Sequence, residues 1–466
     1  MRFNLKKLKK VKKTILTIFL ASNLTLVATG SAVLNSATDS ADILGGESTP
    51  SATQNSNSPA RTFKVDPTGS FIEDELVVKF AEGVNQASKM GSLNSHNAKI
   101  IKEGLSGATL INVDPSNRET VLRALAKNPE VEYVHENQVG YVQEGRGGGG
   151  ADSCYPKEFY YCYATDTYWQ WGIKNVNVAA GWKYNKGSSS TKVAVIDSGV
   201  DYNHFDLGLS GIWRAGSGVG KVIKGGDFVG DDSDPMDEDI DGIGHGTAVA
   251  GVLGAITNNG TASIAGVNWF TQIIAIRVTT NRIQSNGYDV AEGIHDALNR
   301  GAHVINISLV LPNDESTLKN AVNVALASNK IIVASVYNSS TTNCFMGFPA
   351  AYFGVISVAA TEQDNTWWSG CTGNVKNGTT YQGIQVVAPG RDIFTLRIGG
   401  MGYLNGTSLA TPIVSGIASI LVNCTDPDTA VYDLILGTDD LGSVGWDSTY
   451  GYGKVNLFKA LNRHCI

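Results

Sequence analysis

Charged residues are scarce in this chain of 466 residues: Lys, Arg, Asp and Glu make up 17% of it, against 42% hydrophobic residues. That balance excludes a wholly disordered chain and a coiled coil, and it leaves apolar material for a sizeable core. The 53 glycines keep no period of three, which excludes a collagen-like helix. Six cysteines are present (Cys154, Cys162, Cys344, Cys371, Cys424 and Cys465), and no two of them form a CxxC pair for zinc or dithiol redox chemistry. Acids are absent from the first 32 residues, where Arg2, Lys6, Lys7, Lys9, Lys10, Lys12 and Lys13 gather. The whole chain carries a formal −7, so the remainder carries −14. A protein this acidic lacks the basic face that phosphate contacts require, and no nucleic acid partner is expected. An acidic surface suits a soluble, secreted or cation-binding protein.

The apolar run after the basic residues extends from Thr14 to about Ala28 and is interrupted by Asn23. It falls short of the roughly 20 residues that span a bilayer, so no membrane anchor is expected. A basic head, an apolar stretch and then Gly30, Ser31 and Ala32 are the layout of a secretory signal peptide over 1–32. A secreted protein also agrees with an even number of cysteines held in structural disulfides. Six cysteines allow 15 connectivities; pairing of nearest neighbours, 154 with 162, 344 with 371 and 424 with 465, is expected from loop length alone.

Residues 33–70 are predicted to be a disordered spacer, rich in Ser, Thr, Asn and Pro. Residues 71–142 then alternate apolar and polar positions. Strands are predicted at Glu75 to Phe80, Ala98 to Glu103, Ala108 to Val113 and Val131 to His135, with an amphipathic helix at Glu119 to Lys127. Strands interleaved with two helices make a small α+β domain. After it, the run EGRGGGGADS is too free in its backbone for regular structure, and 143–150 is expected to be a cleavable linker.

The remaining 151–466 are expected to form one large domain. Lys192 to Ile196, Val222 to Val229, Gln272 to Val278, His303 to Leu309, Lys330 to Val336, Val355 to Ala359 and Gln385 to Ala388 are near-continuous apolar strands. Such strands belong to a parallel sheet covered on both faces. Helical stretches such as Asp289 to Arg300 and Ser316 to Ser328 lie between them. The fold class predicted is α/β, a doubly wound and mostly parallel sheet, in which ligands bind beyond the carboxyl ends of the strands.

Three chemically suggestive residues lie just after such strands or open helices. Asp197 ends the strand VAVI, His245 begins HGTAVAG, and Ser408 lies in NGTSLATP. Attack of a hydroxyl on a carbonyl needs a base beside the oxygen and a buried carboxylate that fixes the imidazole tautomer. A helix start at Ser408 sets backbone N–H groups where an oxyanion would form. Pro412 is expected to be tolerated as a residue near the first turn.

The combination DSGV at 197–200, HGTAVAG at 245–251, VINISL at 304–309, GTSLATPIVSG at 406–416 and GYGKVN at 451–456 resembles the subtilisin-like serine proteases, the subtilases. The resemblance covers about Trp171 to Leu461, and residues 71–142 resemble more loosely the inhibitory pro-domain that precedes such enzymes. It implies a secreted serine endopeptidase made as a zymogen. Protein or peptide substrates would be its partners, its own pro-domain would be an intramolecular inhibitor, and a monomer is expected. The catalytic residues implied are Asp197, His245 and Ser408, with Asn338 completing the oxyanion hole; a surface glycosylation sequon is the other reading of Asn338.

Ser308, Val310, Tyr337 and Gly347 are implied to line the substrate pocket. The family carries Gly where this chain has Val310 and Tyr337, so a small residue before the scissile bond is expected, and Gly147 to Gly150 become a candidate self-cleavage site. Ala248 stands where many relatives have a second His. Seven acids lie between Asp231 and Asp241, and the DxDxDG-like Asp237, Asp239 and Asp241 suggest calcium or, equally, a solvated acidic loop. The EF-hand Glu is absent, its place being Ala248. The family resemblance further implies a structural calcium ion at Asp166, Asp206 and Asn259. A transpeptidase using the same triad and a catalytically inactive binding protein of the same fold are the two alternative functions.

Overall fold

The computed structural model describes residues 70–142, 145–146, 170–208, 221–230, 232–238, 243–257, 264–279, 285–342 and 344–466. The expected signal peptide, the spacer, Gly147 to Gly150, Cys154, Cys162, Asp166, Asp239, Asp241 and Asn259 lie outside the described residues. Among the described residues no helix is long and apolar enough to cross a membrane.

The first folded unit follows the order β1 (Phe71–Phe80), α1 (Gln86–Asn94), β2 (Lys99–Glu103), β3 (Thr109–Asn112), α2 (Arg118–Ala126) and β4 (Val131–Val142). Its strands lie antiparallel in the order β4-β1-β3-β2. Leu76, Val78, Phe80 and Ile111 of the sheet bury against Leu93 of α1 and Val121 and Leu125 of α2. The α+β expectation is met. The closing strand, however, runs on to Val142 instead of stopping at His135, because Val139 to Val142 find partners in the second unit.

That unit comprises β5 (Gly145–Arg146), α3 (Trp171–Asn175), α4 (Val178–Gly181), β6 (Lys192–Asp197), β7 (Val222–Asp227), α5 (His245–Gly254), β8 (Gln272–Arg277) and β9 (Ser285–Asn286). There follow α6 (Gly287–Asn299), β10 (Val304–Ile307), β11 (Leu309–Val310), α7 (Ser316–Ala327), β12 (Ile331–Ser335), β13 (Ile356–Thr361), β14 (Trp367–Ser369), β15 (Val375–Lys376) and β16 (Thr379–Thr380). The chain ends with β17 (Val386–Pro389), β18 (Ile393–Arg397), β19 (Gly400–Asn405), α8 (Thr407–Leu421), α9 (Pro427–Leu436) and α10 (Leu457–His464).

The central sheet has the order β14-β13-β12-β10-β6-β8-β7, with β17 also pairing β13. Every pairing in it is parallel except that of β13 with β14. Alternate residues of β6 enter different cores. Val193 and Val195 pack with Val249, Val252, Ile413 and Ile417 of α5 and α8. Ala194 and Ile196 pack with Val290, Ile294, Leu318 and Val322 of α6 and α7. Helices on both faces explain why the strands read as unbroken apolar runs, and the doubly wound α/β fold is as expected.

The described disulfides are Cys344–Cys371 and Cys424–Cys465, two of the three pairings expected. Cys424–Cys465 ties the segment after α8 to the residue that caps α10, closing a separation of 41 residues. In the chain-entropy view, closing a loop of that length removes about 4 kcal/mol of unfolded-state freedom. Replacing Cys424 and Cys465 together by Ala is expected to lower unfolding free energy by about 2–4 kcal/mol. Denaturant unfolding in the Ser408→Ala background, free of any self-digestion, checks it; an unchanged midpoint would discard this role for the crosslink.

Candidate active site

The carboxyl ends of β6, β10 and β12 point the same way, so the residues just beyond these strands converge. At the end of β6, Asp197 is fully buried, and its Oδ1 lies 2.7 Å from Nδ1 of the equally buried His245. A carboxylate only accepts, so Nδ1 carries the hydrogen and Nε2 of the neutral ring is left as the basic nitrogen. Ser198 N–H also donates to Asp197 Oδ1 at 2.8 Å. His245 opens α5, and the helix start comes close to the Asp197 loop only because Gly246 has no side chain. A Cβ there would stand 2.0 Å from the Gly199 carbonyl oxygen.

The start of α5 is held by Asp237. Its Oδ2 accepts Thr247 N–H at 3.0 Å and Thr247 Oγ1–H at 2.6 Å, while its Oδ1 accepts Ser198 Oγ–H at 3.1 Å. Ser198 Oγ in turn accepts Gly246 N–H at 2.9 Å. Burial raises the Asp237 carboxyl to about 7; the Thr247 bonds oppose this and nearby Asp197 adds to it. Asp237 is therefore a buried brace beneath His245; Asp239 and Asp241, expected with it as calcium ligands, lie outside the described residues. Its neighbours in the acidic loop are paired with cations: Asp234 with Lys224 Nζ at 3.1 Å and Glu238 with Arg277 at 3.0 Å. Among the described residues no group of three or more His, Cys, Asp or Glu side chains gathers to hold a metal.

Ser408 is the second residue of α8, which is buried along its whole length. Asn338, two residues beyond Val336, accepts Thr407 N–H through Oδ1 at 2.9 Å. That bond satisfies one of the orphan donors of the helix start and fixes the amide so that Nδ2 is the donor end. Pro412 lies inside the helix, not in its first turn. Lacking an N–H, it cannot bond the carbonyl of Ser408 four residues back. Ser308 Oγ donates to that carbonyl instead, at 3.1 Å. Ser308 is itself held by Asn306, which Ser415 of α8 also contacts at 2.8 Å. Ser308 therefore braces the start of the helix through its side chain.

The other expected pocket residues divide. Gly347 has φ 73°, and a Cβ on it would meet Val310 Cγ1 at 2.3 Å. The isopropyl group of the buried Val310 thus lies directly on Gly347. Tyr337 is 44% exposed, and its N–H donates to Met346 O at 3.1 Å. Asp206 is buried, with Oδ2 accepting Ile264 N–H at 3.2 Å. Lys221, also buried, donates to Asn268 O and Trp269 O, and burial lowers its ammonium to about 7 with Asp206 working the other way.

The cleft between these groups carries a strand that the residue pattern does not announce. Val139 and Gly140 of β4 pair antiparallel with Asn286 and Ser285 of β9. Tyr141 and Val142 pair with Val310 and Leu309 of β11. Gly145 and Arg146 then pair with Asn405 and Leu404 of β19. Leu309 adjoins Ser308, and Asn405 lies three residues before Ser408, so the first unit's chain pairs with the segments that lead to the Ser308 brace and to the start of α8. The expectation of no regular structure after Gln143 fails at Gly145 and Arg146 because the partner strand lies in the other unit.

The model of the subtilase family matches residues 188–453, and that of the fervidolysin N-terminal prodomain matches residues 57–137. A thermophilic serine proteinase of Bacillus sp. (strain AK1) is 35% identical over 395 residues, covering 84% of this chain and 88% of the relative. Thermitase of Thermoactinomyces vulgaris is 35% identical over 294 residues, 63% of this chain and 95% of the relative. Among solved structures, fervidolysin from Fervidobacterium pennivorans, described as a keratinolytic enzyme related to subtilisin, matches with a TM-score of 0.65 and 23% identity over 86% of this chain. This chain spans 62% of fervidolysin's length.

The Asp237 brace has a signature in pH. Its folded value of about 7 lies above the ~3.9 of an unfolded Asp. Between those values the folded chain holds a proton that the unfolded chain has lost, so stability falls as pH rises across that window. Asp237→Asn cannot titrate and is expected to flatten this slope, by an amount on the order of 3 kcal/mol between about pH 4 and pH 7. Denaturant unfolding at the two ends of the window, in the Ser408→Ala background, measures it; equal slopes in both chains would rule out a raised Asp237.

Proposed function

This chain belongs to the subtilase family of serine proteases, and on that premise we propose that it is a secreted, self-processing endopeptidase. Asp197 holds His245 in the tautomer with Nε2 unprotonated. His245 takes the proton of Ser408 Oγ as that oxygen bonds to the peptide carbonyl carbon. The same imidazolium gives the proton to the leaving amine when the C–N bond breaks, and water repeats the sequence to release the acid. The oxyanion is met by the Ser408 N–H at the start of α8 and by Nδ2 of Asn338. The substrate backbone lies extended between β9 and β11, the mode in which a peptide adds a strand to open edges.

The observation that carries this reading is the course of β4 and β5. The first unit's own chain pairs with β11, which adjoins Ser308, and then with β19, which ends three residues before Ser408, as a substrate running past the catalytic groups would. It supports an intramolecular inhibitor that is also the first substrate. Two residues, Gln143 and Glu144, separate Val142, paired with Leu309, from Gly145, paired with Asn405, and the bond midway between these pairings, upstream of Gly147 to Gly150, is the one we propose is cut. Val310 on Gly347 narrows the pocket beside that bond, yet the residue before the bond is Gln143, so the course of this strand does not carry the small-residue preference expected from the sequence. The signal peptide at 1–32 supports export.

A structural calcium ion at Asp206 with Asp166 and Asn259 belongs to the same proposal. A buried carboxylate is a hard oxygen donor of the kind calcium takes, and Asp206 joins the segments on either side of 258–263 through Ile256 N–H and Ile264 N–H. The ion would brace that loop and take no part in the chemistry. Excess chelator is expected to lower the melting transition, and an unmoved transition counts against bound calcium.

The function itself is tested by a fluorophosphonate probe. Labelling is expected in the purified chain and absent in Ser408→Ala. Asn338→Ala is expected to lower kcat about 10²- to 10³-fold with KM little changed. N-terminal sequencing of the processed protein is expected to begin at Glu144. Failure of the intact chain to label or to cleave peptides would leave a binding protein of this fold instead.

A further inference from the structure

The segment of β4 that lies in the cleft is a cast of the substrate site, and one of its residues meets a closed wall. Gly140 lies opposite Ser285 of β9, beside the β11 pairing of Tyr141 with Val310. A Cβ on Gly140 would stand 2.8 Å from Ser285 Oγ, 3.2 Å from Leu311 Cγ and 3.4 Å from the Val310 carbonyl oxygen. The first is closer than carbon comes to oxygen without a bond. The second is tighter than ordinary van der Waals contact, so a side chain there would press on Leu311.

The Leu311 wall is pinned through its backbone, and the Ser285 wall is enclosed. Leu311 is fully buried, and its N–H and carbonyl are both bonded to Phe348, at 2.8 and 2.9 Å. Ser285 is 1% exposed, and its Oγ has no hydrogen-bond partner among the described residues. The arrangement closes off the subsite in which a substrate side chain would otherwise sit.

We propose that this subsite selects glycine and that Ser285 and Leu311 are its specificity-determining residues. With cleavage between Gln143 and Glu144, Gly140 is the fourth residue before the scissile bond, and the substrate class is an extended polypeptide with glycine at that place. This inference rests on the endopeptidase reading above and deepens it by naming what that cleft accepts.

In the full-length chain, Gly140→Val is expected to slow self-processing at least tenfold, and adding Ser285→Ala with Leu311→Val to restore it to within about threefold of the parent. With the mature enzyme, peptides bearing Gly, Ala, Val or Leu at the fourth position are expected to show kcat/KM at least tenfold higher for Gly than for Val. That series needs no variant and so survives a double substitution that does not fold. Processing of Gly140→Val at the parent rate, or a flat peptide series, overturns the proposal while leaving the endopeptidase intact. A parent chain that neither labels with fluorophosphonate nor cleaves peptides overturns the endopeptidase reading. The steric claim is then still read in the Ser408→Ala chain, where Gly140→Val is expected to lower the melting transition and the two wall substitutions to recover it. No such loss would overturn the closed subsite.

Discussion

A helix that begins inside a protein has backbone N–H groups with no partner in the helix, and burial makes each of them costly. Two such helices begin here, α5 and α8, at the carboxyl edge of one sheet. Both meet the constraint in the same way. Thr247 N–H is taken by Asp237, and Thr407 N–H by Asn338, each a side chain from outside the helix. His245 lies two residues before the first of these threonines and Ser408 one residue after the second. The groups that would do the chemistry are thus positioned by the satisfaction of ordinary helix ends. A further buried acceptor, the carbonyl of Ser408, arises because Pro412 interrupts the ladder, and Ser308 takes it up.

Much of this is visible in the residue pattern, for a physical reason. Strands covered on both faces must be apolar at every position, so β6, β8, β10 and β12 stand out as runs such as VAVI and VINI, with boundaries within about a residue or two. The HGT and GTS segments stand out because close helix starts need small residues, as Gly246 demonstrates. The features that escape are set by partners distant in sequence. Asp237 sits in a run of acids, and a run of acids shows charge without showing burial; that this one carboxylate turns inward under Thr247 has no local mark. Pro412 reads as a first-turn residue because the helix start is legible only to within a turn. The brace role of Ser308 depends on where α8 crosses β10.

The same distinction governs β4 and β5. Up to His135 the alternation of β4 is that of a strand in its own sheet. From Val139 the pairing edges belong to β9, β11 and β19, which are all in the second unit. Gly145 and Arg146 have no strand propensity to announce them, and they are extended because an open edge is there to receive them. β18 and β19 are themselves hard to read, since a glycine-rich segment such as GMGYLN carries little β-propensity. In this molecule the local pattern sets the scaffold, and the edges that remain open decide what lies across it.

The contact between the two units extends beyond the cleft. Tyr288, at the start of α6, is fully buried, and its ring packs with Val77, Ala108 and Leu110 of the first unit's sheet. Glu292, one turn further along, receives the N–H groups of Leu105 and Ser106. Two of the donors that begin α6 and precede α7, Tyr288 N–H and Asn313 N–H, are met by the side-chain oxygens of Asn137 and Gln138. Departure of the first unit would therefore wet an aromatic ring and release a carboxylate in the same event. The ring would thus report optically on any separation of the two units: its surroundings would pass from hydrocarbon to water as the cleft lost the strand that lies across it.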